Sequence, residues 1–171
     1  MTRRTVSRAL LALIVSVVLT ACGGEDGAGS ASGGAGTAVA EAVSTDLSVA
    51  PEVPASDAEA PTELVVEDVV VGDGAEAVDG TTVAVKYVGA FYETGEEFDS
   101  SWSRGADETL PVTLGAGQVI PGFEQGITGM QVGGRRVITI PSELGYGAQA
   151  RGPIPADSTL VFVVDLVEVT G

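Results

Sequence analysis

The feature that most constrains this chain is a change of rhythm at about residue 62. Residues 23–62 hold Gly, Ala, Ser, Thr, Val, Pro, acids and a single Leu, without one aromatic or basic side chain. Beyond them, β-branched runs recur at short intervals, each closed by Gly or Pro, which is the pattern of strands joined by turns. A chain built this way is limited to a β-rich domain preceded by something else.

The strands read directly. Leu64–Val71 ends at Gly72-Asp73-Gly74, and Asp79-Gly80 leads into Thr81–Gly89, where Val83, Val85 and Tyr87 alternate with smaller or polar partners. Further strands are predicted at Glu97–Ser100, Leu110–Leu114, Arg135–Ile140 and Ser158–Val169. The one convincing helix follows Ile120, with Pro121 suited to a first helical position, and ends near Gly129. A Gly/Pro-rich loop fills Pro141–Asp157. The fold class is therefore α+β: a twisted antiparallel sheet of five to six strands wrapped around one short helix.

Composition removes several functions. The 171 residues include no His and one Cys, which excludes an internal disulfide, an imidazole shuttle, and Ser-His-Asp or Cys-His nucleophile systems. A net charge of −16 argues against a nucleic-acid partner, because phosphates need clustered Lys and Arg. The acids at Asp73-Gly74 and Asp79-Gly80 lack the ligand spacing of a calcium loop.

Residues 1–21 read as an export signal. Arg3, Arg4 and Arg8 form a positive start, and Ala9–Ala21 is an apolar stretch of 13 residues. That is short of the roughly 20 residues a membrane-spanning helix needs. Leu19-Thr20-Ala21-Cys22 resembles the bacterial lipobox, which implies cleavage before Cys22 and acylation of its thiol. The alternatives are an ordinary secretory signal with an incidental Cys and, from Arg3-Arg4, a twin-arginine signal. With the signal gone, 24 acids face five bases, for a net charge of about −19. Residues 22–62 are then expected to be a disordered acidic tether reaching about 35 Å as a coil, with the domain proper at 63–171.

The segments that follow carry a resemblance. They are Val85-Lys86-Tyr87-Val88-Gly89, Phe98-Asp99-Ser100-Ser101, Leu114 to Glu124, Gly129 to Arg136, Ile140 to Gly147, Ile154-Pro155 and Ser158 to Phe162. In this order they resemble the FKBP-type peptidyl-prolyl cis–trans isomerases, the macrolide-binding immunophilins. The resemblance implies a pocket between sheet and helix lined by Tyr87, Phe98, Asp99, Val119, Ile120, Phe123, Tyr146, Ile154 and Phe162. In it, Phe98 and Phe162 are walls and Phe123 is the floor. The Ile120 N–H and the Tyr146 hydroxyl donate to the bound Xaa-Pro segment, and Arg104 orients Asp99. Taken singly these residues have plainer readings, the rings as core and Asp99 as a turn cap.

The chain departs from the family pattern in places. Phe123 stands where many relatives have Trp, Leu110 and Val112 where aromatics are frequent, and Arg151 where His is frequent, so a shallower, more aliphatic pocket is expected. The implied activity is isomerisation of Xaa-Pro bonds, without a cofactor, in exported polypeptides. Macrolides are implied ligands, a monomer is the implied state, and the place is the outer face of the cytoplasmic membrane. The alternative function is a non-catalytic module or chaperone that holds proline segments in the same cleft.

Overall fold

Each β-branched run forms a strand: β1 (Val65–Val70), β2 (Thr82–Phe91), β3 (Glu97–Ser100), β4 (Leu110–Thr113), β5 (Arg135–Ile140) and β6 (Leu160–Thr170). The computed structural model describes residues 33–171, with side chains from residue 38 onward. Two α-helices lie within this range, α1 (Gly33–Ala42) and α2 (Pro121–Ile127). All strand pairings are antiparallel, in the order β1-β5-β6-β2-β3. The other edge of β2 is shared: Thr82–Val85 pairs with β4, and Val88–Ala90 with β3. The six-stranded antiparallel sheet with its short helix is the architecture expected from the sequence.

Helix α2 begins with Pro121 at its first position and lies across β5. Gly122 and Gly126 sit four residues apart and so share one face. A Cβ on Gly122 would strike Ile140, and one on Gly126 would lie 2.5 Å from Ile138. Two absent side chains thus let the helix close on the sheet. Phe123 and Ile127 join Ile138, Ile140, Leu160, Phe162, Val164 and Leu166 in the main core.

Alternate residues of β5 and β6 point to the other face. There Val137, Val161 and Val163 form a second buried cluster with Tyr92, Val39 and Val43. This is where the structure departs from the expected tether. Residues 33–62 contain α1 and a strap bound to the outer face of the sheet, with Val39 and Val43 only 2% and 4% exposed. Arg135 holds it: besides its ion pair with Asp165, its guanidinium donates to the carbonyls of Ser44, Asp46 and Val49. The strap has few apolar residues of its own, but the sheet supplies an apolar face and a buried charge to bind it. The folded unit therefore extends upstream of residue 63. The predicted signal, Cys22 and residues 23–32 lie outside the described residues.

Candidate active site

The concave side of the sheet and the start of α2 enclose a cavity of about 540 Å³. Eight of the nine expected residues line it: Tyr87, Phe98, Asp99, Val119, Ile120, Phe123, Tyr146 and Phe162. Ile154 does not. It is 6% exposed within the main core, and its backbone closes a bridge with Arg151, whose side chain borders the cavity instead.

Ring geometry shapes the interior. Phe123 and Phe162 meet edge to face with centroids 5.0 Å apart, Tyr87 meets Phe123 at 6.0 Å, and Phe98 meets Phe162 at 5.6 Å and 83°. These are the offset and T-shaped contacts that aromatic quadrupoles favour. Gly89 of β2 makes the arrangement possible, because a Cβ there would lie 2.8 Å from both the Phe98 and the Phe162 rings. Phe123, Phe162 and Tyr87 form the buried end, while Asp99, Gln118 and Arg151 are exposed at the mouth.

The two donors that the family resemblance assigns to a ligand are both without an acceptor among the described residues. The Ile120 N–H precedes α2 and has no acceptor among the described residues. The loop that presents it is fixed by Glu124, whose carboxylate accepts from the N–H groups of Gly115 at 2.7 Å and Gly117 at 3.2 Å. Gln118 adds a bond from the Thr113 N–H to its Oε1 at 3.2 Å. The second donor is the Tyr146 hydroxyl, whose ring lies under the Arg151 guanidinium at 5.5 Å.

Asp99 is held as the sequence suggested. Arg104 Nη1 donates to Asp99 Oδ1 at 2.7 Å, and Arg104 Nη2 donates to the Tyr87 hydroxyl at 2.9 Å. That hydroxyl donates in turn to Asp99 Oδ2 at 2.5 Å. Burial acts to raise the Asp99 carboxyl, but the hydrogen bonds from Tyr87 and Arg104 outweigh it and hold the group below the usual carboxylate range. Burial, and then the bond to Asp99, push the Tyr87 phenol up. Asp99 is thus an acceptor already engaged, and it fixes Tyr87 against the cavity.

The cavity is thus a hollow of interlocked rings with unpartnered donors at Ile120 and Tyr146. Residues 74–167 match the family model for the FKBP-type peptidyl-prolyl cis–trans isomerase. The chain belongs to that family. An FK506-binding protein of Streptomyces anulatus is 50% identical over 121 residues, which cover 70% of this chain and 96% of the relative. One from Neisseria meningitidis serogroup A is 50% identical over 107 residues, 62% of this chain and 95% of the relative. Among solved structures, AtFKBP13 has a TM-score of 0.57 at 38% identity, covering 64% of this chain and 94% of that one. FkpA from Escherichia coli has a TM-score of 0.57 at 39% identity over 66% of this chain, which spans about half of FkpA's length. The domain is an FKBP-type isomerase domain.

Sequence reasoning missed Leu110, Gly117, Gln118, Pro121, Gly145 and Arg151 as lining residues. Three of these, Gln118, Pro121 and Gly145, flank assigned positions, and Gly117 lies one residue further off, so adjacency was the available signal. Leu110 and Arg151 had been noticed only as departures from the family pattern.

Proposed function

We propose that this FKBP-type isomerase is exported, anchored through an acylated Cys22, and turns Xaa-Pro bonds in polypeptides folding outside the cytoplasmic membrane. The observation that carries the catalytic part is the cavity itself: five aromatic side chains, with the Ile120 N–H and Tyr146 hydroxyl free to donate.

Isomerisation is slow because twisting the bond destroys amide resonance, at a barrier of about 18–20 kcal/mol. No covalent bond is made or broken, so the absence of His removes nothing the reaction needs. The twisted amide has less charge separation than the planar one. Rings that exclude water therefore favour it relative to the ground state, which is the differential binding that catalysis requires. Donors at Ile120 and Tyr146 hold the flanking carbonyls in one orientation. The Tyr87-Asp99-Arg104 cluster stiffens one wall.

The address supports the substrate. Unfolded chains hold about 10–30% cis Xaa-Pro and interconvert over tens to hundreds of seconds, a delay that limits folding. Between Cys22 and the start of α1 lie ten residues, so at no more than about 3.6 Å per residue the docked unit stays within roughly 40 Å of the anchor. The acidic surplus keeps a monomeric domain soluble and away from anionic lipid and nucleic acid. The FK506-binding proteins among the relatives support FK506-type macrolides as ligands of the cavity.

The chain from residue 23 is to be assayed on a proline peptide. A rate above background that FK506 suppresses and Phe98→Ala lowers is expected. No rate in either protein would turn the reading to a non-catalytic proline-binding module. Retention of a Cys22→Ala chain in the membrane fraction would refute the anchor.

A further inference from the structure

Behind the aromatic wall of the cavity lies a second hollow. This groove of about 430 Å³ is floored by Phe91, Phe98, Pro153 and Pro155 and edged by Glu93, Glu96 and Glu97. Phe98 borders both spaces, touching Phe162 at 5.6 Å and Phe91 at 5.2 Å. Its ring is a partition between the two.

Glu93 and Glu96 come from the turn joining β2 to β3 and Glu97 opens β3, and that turn is braced from behind. The Phe91 N–H donates to the Glu96 carbonyl at 3.0 Å, and the Gly95 N–H donates to the Phe91 carbonyl at 2.8 Å. Gly95 has φ +68 and no room for a Cβ, which would lie 2.6 Å from the carbonyl oxygen of Val53 in the strap. The Ser56 N–H donates to the Tyr92 carbonyl at 3.1 Å. The three carboxylates therefore stand on fixed backbone, and none has a basic partner. Among the described residues the ion pairs are Arg104–Asp99, Arg135–Asp165 and Arg136–Asp68.

We infer that this groove receives the stretch of substrate flanking the isomerised bond, and that it selects there for a basic residue. The inference rests on the isomerase reading above. A peptide leaving the cavity across Phe98 enters the groove directly, and at about 3.3 Å per residue it does so two or three positions from the proline. The floor, half-buried at Phe91 and Phe98 and exposed at Pro153 and Pro155, suits the stem of Lys or Arg, while the cationic head meets Glu93, Glu96 and Glu97. An acidic side chain in the same place meets three like charges.

The test uses the chain from residue 23 and two peptide series around one Xaa-Pro bond, carrying Lys, Ala or Glu two or three residues before or after the proline. In one of the series, kcat/KM for Lys over Glu is expected to be about three- to tenfold at low salt, shrinking in 0.5 M salt. In Glu93→Gln/Glu96→Gln/Glu97→Gln the ratio should fall toward one. In Asp73→Asn/Asp79→Asn/Glu168→Gln, which removes the same charge elsewhere, it should persist. Turnover without charge preference in both series overturns the groove and leaves the isomerase intact. Equal loss of preference in the two triple variants overturns it too, in favour of net charge. Absence of turnover with every peptide overturns the isomerase reading and the inference with it.

Discussion

Arg135 and Asp165 face each other in the β5–β6 register and close a two-pronged ion pair, Nε to Oδ1 at 2.5 Å and Nη2 to Oδ2 at 2.7 Å, with the Arg135 side chain fully buried. The remaining donors of the same guanidinium reach three carbonyls of the strap. One side chain thus satisfies a buried carboxylate and ties residues 44–49 to the sheet.

Removing one partner of a buried pair leaves the other uncompensated, which costs about 3–5 kcal/mol. Asp165→Asn is expected to lose stability in that range in urea unfolding. Arg135→Met should in addition free the strap, so that a glutamate-specific protease cuts after Glu41, Glu52 and Glu59 much faster than in the parent chain.

A chain beginning at residue 63 lacks the strap altogether. Val137, Val161, Val163 and Tyr92, all buried at present, would then face water. Such a chain is expected to unfold at lower urea than one beginning at residue 33 and to bind a hydrophobic dye. Turnover per folded molecule should persist, because the ring-lined cavity lies on the opposite face.

The strands were legible because β-branched runs carry their own periodicity, whereas the ring-lined cavity was legible only through the family resemblance, since singly its rings read as core. Residues 33–62 were not, because read alone they cannot bury enough apolar surface to order themselves. The signal for them sat elsewhere, in Leu160–Leu166. An antiparallel strand with one face in water alternates apolar and polar residues, whereas here Val161 and Val163 are as apolar as Leu160, Phe162 and Val164. That run, together with Arg135 paired across the sheet with Asp165, called for a cover. Ile154 was misplaced for a related reason. Its neighbours in sequence border the two hollows, but the turn at Arg151–Ile154 directs its own side chain into the core.

The lowered Asp99 titration sets a pH limit. A carboxyl whose folded value lies below its unfolded value of about 3.9 contributes stability above that value and loses it as pH falls through the folded one. Protonation would remove the acceptor that holds Tyr87 and Arg104. Peptide turnover is therefore expected to stay flat from neutrality down to about pH 4 and to fall below it. Asp99→Asn should flatten that acid limb; a break between pH 6 and 7 would contradict this account.

Glu124 reaches the cavity only through the loop it fixes. Glu124→Ala releases the Gly115 and Gly117 N–H groups and loosens the backbone that presents Ile120. A hydrogen bond to a charged group is worth about 1.5–3 kcal/mol, less in solvent. The expected signature is a higher KM with a smaller change in kcat. Glu124→Gln, which keeps an acceptor, should restore part of the binding.

Gly89 is where fold and site compete most directly. Its missing Cβ would lie 2.8 Å from the Phe98 and Phe162 rings, so Gly89→Ala must move both walls of the cavity or bend β2. Overpacking of this kind costs about 1–3 kcal/mol, spread between stability and ring displacement. Gly126→Ala makes a comparable clash with Ile138, a residue outside the cavity lining. Matched for stability by urea unfolding, the two variants should differ in catalysis. Gly89→Ala is expected to lose about tenfold or more in kcat/KM, since 1.36 kcal/mol of lost transition-state fit is a factor of ten, while Gly126→Ala stays near the parent. Equal losses would mean that the rings of Phe98 and Phe162 matter to turnover only through stability.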